Sequence, residues 1–109
     1  MNPYDAAHQL AKAIRQSDEF KEYINVKEAI DQIEAKKTIS DEFRKTQLEV
    51  QAMRAMGQDV SDEQMAKLHN LYNLVSADEQ VKNLVQLEQR LGQMLSDVHK
   101  IIGDALKTD

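Results

Sequence analysis

Residues 84–105 read LVQLEQRLGQMLSDVHKIIGDA, and this stretch decides the fold. Leu84, Leu91, Val98 and Ala105 recur every seven residues, and Leu87, Met94 and Ile101 form a second seven-residue series offset by three. Leu95 and Ile102 widen the stripe, although Glu88 interrupts their row. A strict period of seven keeps one apolar seam turned toward a neighbouring helix, as in bundles and coiled coils. The helix carrying the seam is expected to run from about Ala77 to Leu106. At about 1.5 Å per residue it is on the order of 45 Å long. Such a helix outruns the core of a 109-residue chain, so part of its apolar face is expected to be shared between subunits. Leu84, Leu87, Leu91, Met94, Leu95 and Val98 are the residues expected to carry self-association.

Working toward the amino terminus, the same helical spacing continues. Ser76 with Glu79 has the form of a capping box for the last helix, and Ser61 with Gln64 has it for the helix before. In that motif a hydroxyl takes one orphan N–H of the first turn and the Glu or Gln side chain reaches back. Val60 and Met65 stand where a hydrophobic staple would close over the second cap. Met65, Leu68, Leu71, Tyr72 and Val75 then form a stripe. Gly57 suits the left-handed position just past a helix end, where glycine has no Cβ to clash. The helix it ends is expected to start at Ser40-Asp41-Glu42 and to carry Phe43, Val50, Met53 and Met56.

Lys36 and Lys37 suit a helix carboxyl end, so a break or kink is expected near Thr38–Ser40. Phe20, Tyr23, Val26, Ile30 and Ile33 form the stripe before that break, with Ser17 as cap and Asp18 and Glu19 complementing the positive helix end. Asn2 followed by Pro3 starts a first helix with Tyr4, Ala7, Leu10, Ala11 and Ile14 on one face. The expectation is an all-α fold, about five helices in an elongated bundle, forming a single domain over residues 1–109.

Composition removes several function classes. Fourteen Lys and Arg against nineteen Asp and Glu leave a net charge of −5. That balance disfavours a nucleic-acid groove, which displaces counterions with excess positive charge, and a basic membrane-surface helix. The chain has no cysteine, which excludes disulfides, thiolate metal ligation and thiol nucleophiles. Asp5, His8, Lys12, Arg15 and Asp18 interrupt the first twenty residues, so no targeting segment is expected and the cytoplasm is the expected location. The apolar runs are far too short to cross a bilayer.

His8, His69 and His99 have no Glu three residues before them, so the Glu-x-x-His pattern of helical metal sites is missing. Asp18 with Glu22 and Glu42 with Glu49 are carboxylate pairs, but acidic residues at helix starts are explained by the helix dipole. Neither a nucleophile elbow nor a phosphate-binding glycine loop is present. No enzymatic activity, no catalytic residue, no cofactor and no metal are expected. The five methionines and eleven glutamines suit either core filling and a solvated face or an adaptable partner-binding surface. Lys36, Lys37, Arg44, Lys45 and Arg54 make a local basic stretch without the aromatic ladder on which single-stranded nucleic acids stack.

Ser17-Asp18-Glu19-Phe20-Lys21-Glu22-Tyr23, then Ala29-Ile30, Phe43, Gln47, Gln51 and Gly57, the Val60–Ser61 restart and the long heptad helix together resemble the YlbF/YmcA family of small bacterial helical proteins, most closely its YheA-like branch. The resemblance covers nearly the whole chain and rests on structural positions. It implies an all-α, cytoplasmic, self-associating protein. It also implies regulatory assembly with partner proteins, since better-studied branches influence competence, biofilm formation, sporulation and messenger RNA processing through a ribonuclease. Some members of that assembly carry cysteine-ligated iron–sulfur clusters, which this chain cannot ligate through thiolates by itself. No catalytic residue carries over.

Two functions follow from these readings. The first is a non-enzymatic adapter: a homo-oligomer, dimer or higher, that docks a protein partner linked to RNA processing in a groove beside the long helix, with no direct nucleic acid and no membrane. The alternative is a small-molecule- or metal-binding helical bundle using His69 and nearby carboxylates.

Overall fold

The computed structural model describes residues 1–108; Asp109, which the expected single domain included, lies outside the described residues. The fold is all-α, with five helices: α1 Pro3–Gln16, α2 Asp18–Asp31, α3 Glu34–Ala55, α4 Asp62–Ser76 and α5 Glu79–Asp104. No described residue is in a strand. The chain divides into two compact units, one of Val26–Val85 and one of Met1–Asn25 with the chain from Gln86 onward. The divisions fall inside α2 and α5, so both helices contribute to each unit.

The caps of α1 and α2 form as the sequence reads. The Asn2 side chain accepts the Asp5 N–H at 2.9 Å, with Pro3 at the first helical position. Ser17 serves two helices. Its N–H and hydroxyl both donate to the Ile14 carbonyl, at 3.1 and 2.6 Å, closing α1, while its Oγ accepts the Phe20 N–H at 3.3 Å to open α2. The Phe20 and Tyr23 rings lie 6.1 Å apart at 38° on the first turns of α2.

The break expected near Thr38–Ser40 lies elsewhere. Helix α2 ends at Asp31, and Ile33, extended at φ −118° and ψ 103°, precedes α3 without any side-chain cap. Lys36 and Lys37 therefore stand near the start of α3, and Ser40 caps nothing. It is buried inside one continuous helix whose inward residues are Ser40, Phe43, Thr46 and Val50. Two small hydroxyl residues occupy positions in that stripe where apolar ones are usual, so the apolar period fades there and Ser40 imitates a helix start.

Helix α3 ends in a six-residue turn motif. The Gln58 N–H reaches the Met53 carbonyl at 2.9 Å and the Gly57 N–H reaches that of Arg54 at 3.1 Å, with Gly57 at φ 73°. This is the Schellman arrangement, which satisfies the orphan carbonyls of the last turn. Ser61 then caps α4, its Oγ accepting the Gln64 N–H at 3.1 Å. The Ser61 hydroxyl donates to Gln64 Oε1 at 3.4 Å, so the two side chains also pair with each other.

The last helix starts two residues later than expected. Ser76 is the final residue of α4, and Ala77 caps its carboxyl end. The residue that opens α5 is Asp78, whose Oδ1 accepts the Val81 N–H at 3.0 Å. Aspartate caps as well as serine does, and here its charge also meets the positive helix end.

The buried side chains are Ile30, Phe43, Val50, Val75, Val81, Leu84 and Leu87, with Ser40 and Thr46. All but Leu87 belong to Val26–Val85, which therefore holds nearly all of the buried core. Thr46 Oγ1 has no hydrogen-bond partner among the described residues. An unpaired buried hydroxyl costs about 1–3 kcal/mol. Replacing Thr46 with the near-isosteric valine is thus expected to raise stability by about 1 kcal/mol; an equal or lower urea midpoint would count against it.

Candidate functional site

Helices α3 and α4 form an antiparallel hairpin in the Val26–Val85 unit. Arg54 Nη2 reaches Met65 Sδ at 3.7 Å near the turn, and Lys67 Nζ lies 3.8 Å from Glu42 Oε2 farther along. The buried Phe43 ring meets the exposed Tyr72 ring, with centroids 6.5 Å apart at 46°.

This hairpin carries two clefts, on opposite faces of α4. Phe43, Gln47, Met65, Leu68, His69 and Tyr72 line the first, of about 250 Å³. None of these residues is a carboxylate, so the expected grouping of His69 with carboxylates is not assembled there. Among the described residues no three of His, Cys, Asp and Glu come together as a metal-binding group. The second cleft, of about 480 Å³, has Glu42 and Glu63 on its lining with Ala66, Lys67, Asn70, Leu71 and Leu74. Leu74, a residue outside the α4 stripe read from the sequence, is half exposed here.

A polar clamp joins the start of α3 to the start of α5. Lys36 Nζ sits 3.3 Å from Asp78 Oδ2 and also donates to Gln80 Oε1. The Val81 N–H, with Lys36 beside it, holds the Asp78 carboxyl below the ordinary carboxylate range against the opposing effect of partial burial. A depressed carboxyl adds stability above its unfolded value of 3.8 and loses it as pH falls through the lower folded value. Asp78→Asn keeps a capping side chain but removes that charge. It is expected to flatten the acid limb of melting temperature below about pH 4, whereas Asp78→Ala costs about 0.5–2 kcal/mol at neutral pH. Identical acid limbs for wild type and Asp78→Asn would defeat this assignment. Sequence reading missed the clamp because Asp78 and Gln80 lie 42 and 44 residues from Lys36 and no local period links them.

The second unit is built differently. Helix α1 has no buried residue, and Tyr4 is 79% exposed. His8, Ala11, Lys12 and Arg15 line a surface depression of about 260 Å³ along it. The expected self-association residues fall into three groups. Leu84 and Leu87 are 1% and 0% exposed and lie in the interior of the chain; Leu91, Met94 and Val98 are half-buried; Leu95 is 48% exposed. Beyond them Ile101, Ile102 and Leu106 are more exposed still. Among the described residues of this unit, Leu87 alone is fully buried. No helix among the described residues is long and apolar enough to cross a membrane.

A family model described as "Control of competence regulator ComK, YlbF/YmcA" matches residues 4–107. The chain belongs to the YlbF/YmcA family. Among its YlbF/YmcA relatives, the UPF0342 protein STH1710 of Symbiobacterium thermophilum is 40% identical over 97% of this chain and 95% of its own length. A UPF0342 protein of Halothermothrix orenii is 35% identical over 95% of this chain and 88% of its own. Two solved structures share the fold. The yheA protein of Bacillus subtilis superposes with a TM-score of 0.69 at 26% identity, covering 97% of this chain and 96% of its own. A protein of unknown function (DUF964) from Bacillus stearothermophilus superposes with a TM-score of 0.76 at 22% identity, covering 94% and 90%. The UPF0342 and yheA matches agree with the resemblance to the YheA-like branch of the YlbF/YmcA family.

Proposed function

We propose that this YlbF/YmcA-family chain acts without catalysis, as a self-associating regulatory adapter that works by holding protein partners. The observation that supports the reading is the contrast within α5. Its apolar stripe starts in the core at Val81, Leu84 and Leu87 and continues, at the same helical spacing, into Leu95 and Ile102, which stand in solvent. A contiguous exposed apolar surface rimmed by polar residues marks an interaction site in a soluble protein. The family description, control of a competence regulator, fits a protein that acts through other proteins. In this reading the exposed end of α5 joins copies of the chain, and the α3–α4 hairpin presents the cleft lined by Phe43, Leu68 and Tyr72 to a partner segment. Surface charge selects which proteins approach. The partner class we assign, from the family's regulatory role, is a protein linked to RNA processing.

Two measurements test the proposal together. Light scattering across the micromolar range is expected to show a dimer or larger species. Affinity capture of the tagged protein from its native cells at gentle salt, followed by mass spectrometry, is expected to recover a stoichiometric protein partner. A monomer at every concentration, together with recovery of the bait alone, would sink the adapter reading.

A further inference from the structure

We propose that the cleft between Glu63 and Leu74 on α4 is the seat of helix α1 from a second copy of this chain. The inference rests on the self-association reading above and adds a second contact between copies to the one assigned to α5. Four observations carry it, and each concerns one unit by itself.

Helix α1 is amphipathic and buries none of its side chains fully; Leu10 and Ile14 are partly covered, whereas Tyr4 is 79% exposed. Its other stripe is basic. Lys12 and Arg15 have no ion-pair partner among the described residues, and neither does Glu63 across the proposed interface. The cleft has the complementary chemistry, with Glu42 and Glu63 on its lining beside Ala66, Leu71 and Leu74. Glu42 has Lys67 at 3.8 Å, a loose pair with side chains 43% and 53% exposed, which leaves that carboxylate able to accept a second cation.

The two helices also match in register. Laid antiparallel with Arg15 opposite Glu63, α1 places Tyr4 opposite Leu74, because both pairs span eleven residues of helix. At about 1.5 Å per residue that is roughly 16 Å on each side. His8 then faces Asn70, and the small Ala11 faces Lys67, while Lys12 lies toward Glu42. The arrangement sets Arg15, in the last turn of α1, against Asp62 and Glu63 in the first turn of α4. Charge and helix dipoles are thus complementary at the same end, and the aromatic Tyr4 meets leucine at the other. When each copy gives α1 to the other, the assembly closes as a two-fold dimer and no open chain of subunits grows.

The absence of cysteine makes the test specific. Tyr4→Cys in one tagged copy and Leu74→Cys in a differently tagged copy change exposed residues only. After subunit exchange and mild oxidation, the mixture is expected to give a disulfide-linked heterodimer. Tyr4→Cys mixed with Ala66→Cys is expected to give none. Ala66 lies about 12 Å farther along α4, beyond the roughly 7 Å Cα separation a disulfide spans. Arg15→Glu is expected to weaken association about tenfold at low salt, and mixing it with Glu63→Arg to restore it, since two rim pairs contribute about that much. A wild-type chain that is monomeric overturns this inference and the self-association reading together. A dimer that persists without the Tyr4–Leu74 crosslink, that crosslinks equally through position 66, or that ignores Arg15→Glu overturns the inference and leaves self-association standing.

Discussion

Leu84→Ala is expected to lower the free energy of unfolding by about 2–5 kcal/mol, the range for removing a buried leucine side chain and leaving part of its volume empty. The residue is 1% exposed, so nearly all of its surface is taken out of water by the chain itself. Against a total of about 5–15 kcal/mol for a domain of ordinary stability, that loss is a large part of what holds the fold. In a chain of about 100 residues each 1 kcal/mol moves the midpoint by about 4–8 °C, so melting is expected to fall by at least about 8 °C. The measurement separates two roles for the same side chain. A core residue destabilises at every protein concentration, whereas an intersubunit residue does so in proportion to how much oligomer is lost. A shift that vanishes on dilution, or one below 1 kcal/mol, would return Leu84 to the interface.

Leu95→Glu should act in the opposite place. The side chain is 48% exposed and sits on the stripe that continues out of the core, so the single chain tolerates a charge there. An interface does not, because a carboxylate in a dry contact loses its hydration without gaining a partner. Central contacts of this kind are worth 2 kcal/mol or more, which corresponds to association weakened by about thirtyfold or beyond. Sedimentation or light scattering is expected to show the shift toward monomer, with helical content by circular dichroism unchanged. Leu91→Glu, at a half-buried position, is expected to dissolve the oligomer too, with partial loss of the fold. If Leu95→Glu associates as tightly as wild type, the exposed end of α5 is not the joint between copies.

The residues explain which features were legible beforehand. Asn2, Ser17, Gly57 and Ser61 act within three or four residues of themselves, and each forms the cap or turn that its side chain dictates. The all-α fold was equally plain, since apolar residues at helical spacing leave few other solutions. The errors came where an interaction from far along the chain outweighed a local preference. Ser40 is a good cap by itself, but packing inside the Val26–Val85 unit draws it into the middle of α3. Ser76 lost its role to Asp78, which also holds Lys36, a partner that no local pattern reveals. The seam of α5 was legible as a stripe, whereas the point at which it leaves the core was not. Leu87 and Leu95 occupy the same pattern, and what lies over each is set by the rest of the molecule.

The hairpin turn at Gly57 also has a kinetic consequence. Helices α3 and α4 touch across a short connection, so their contacts lie close together along the chain. Proteins dominated by such local contacts fold in microseconds to milliseconds, because little loop entropy is lost before native contacts form. A ribosome adds only about 5–20 residues per second. The hairpin therefore has time to close while α5 is still being synthesised, and Lys36 is then already in place at the start of α3 to meet Asp78.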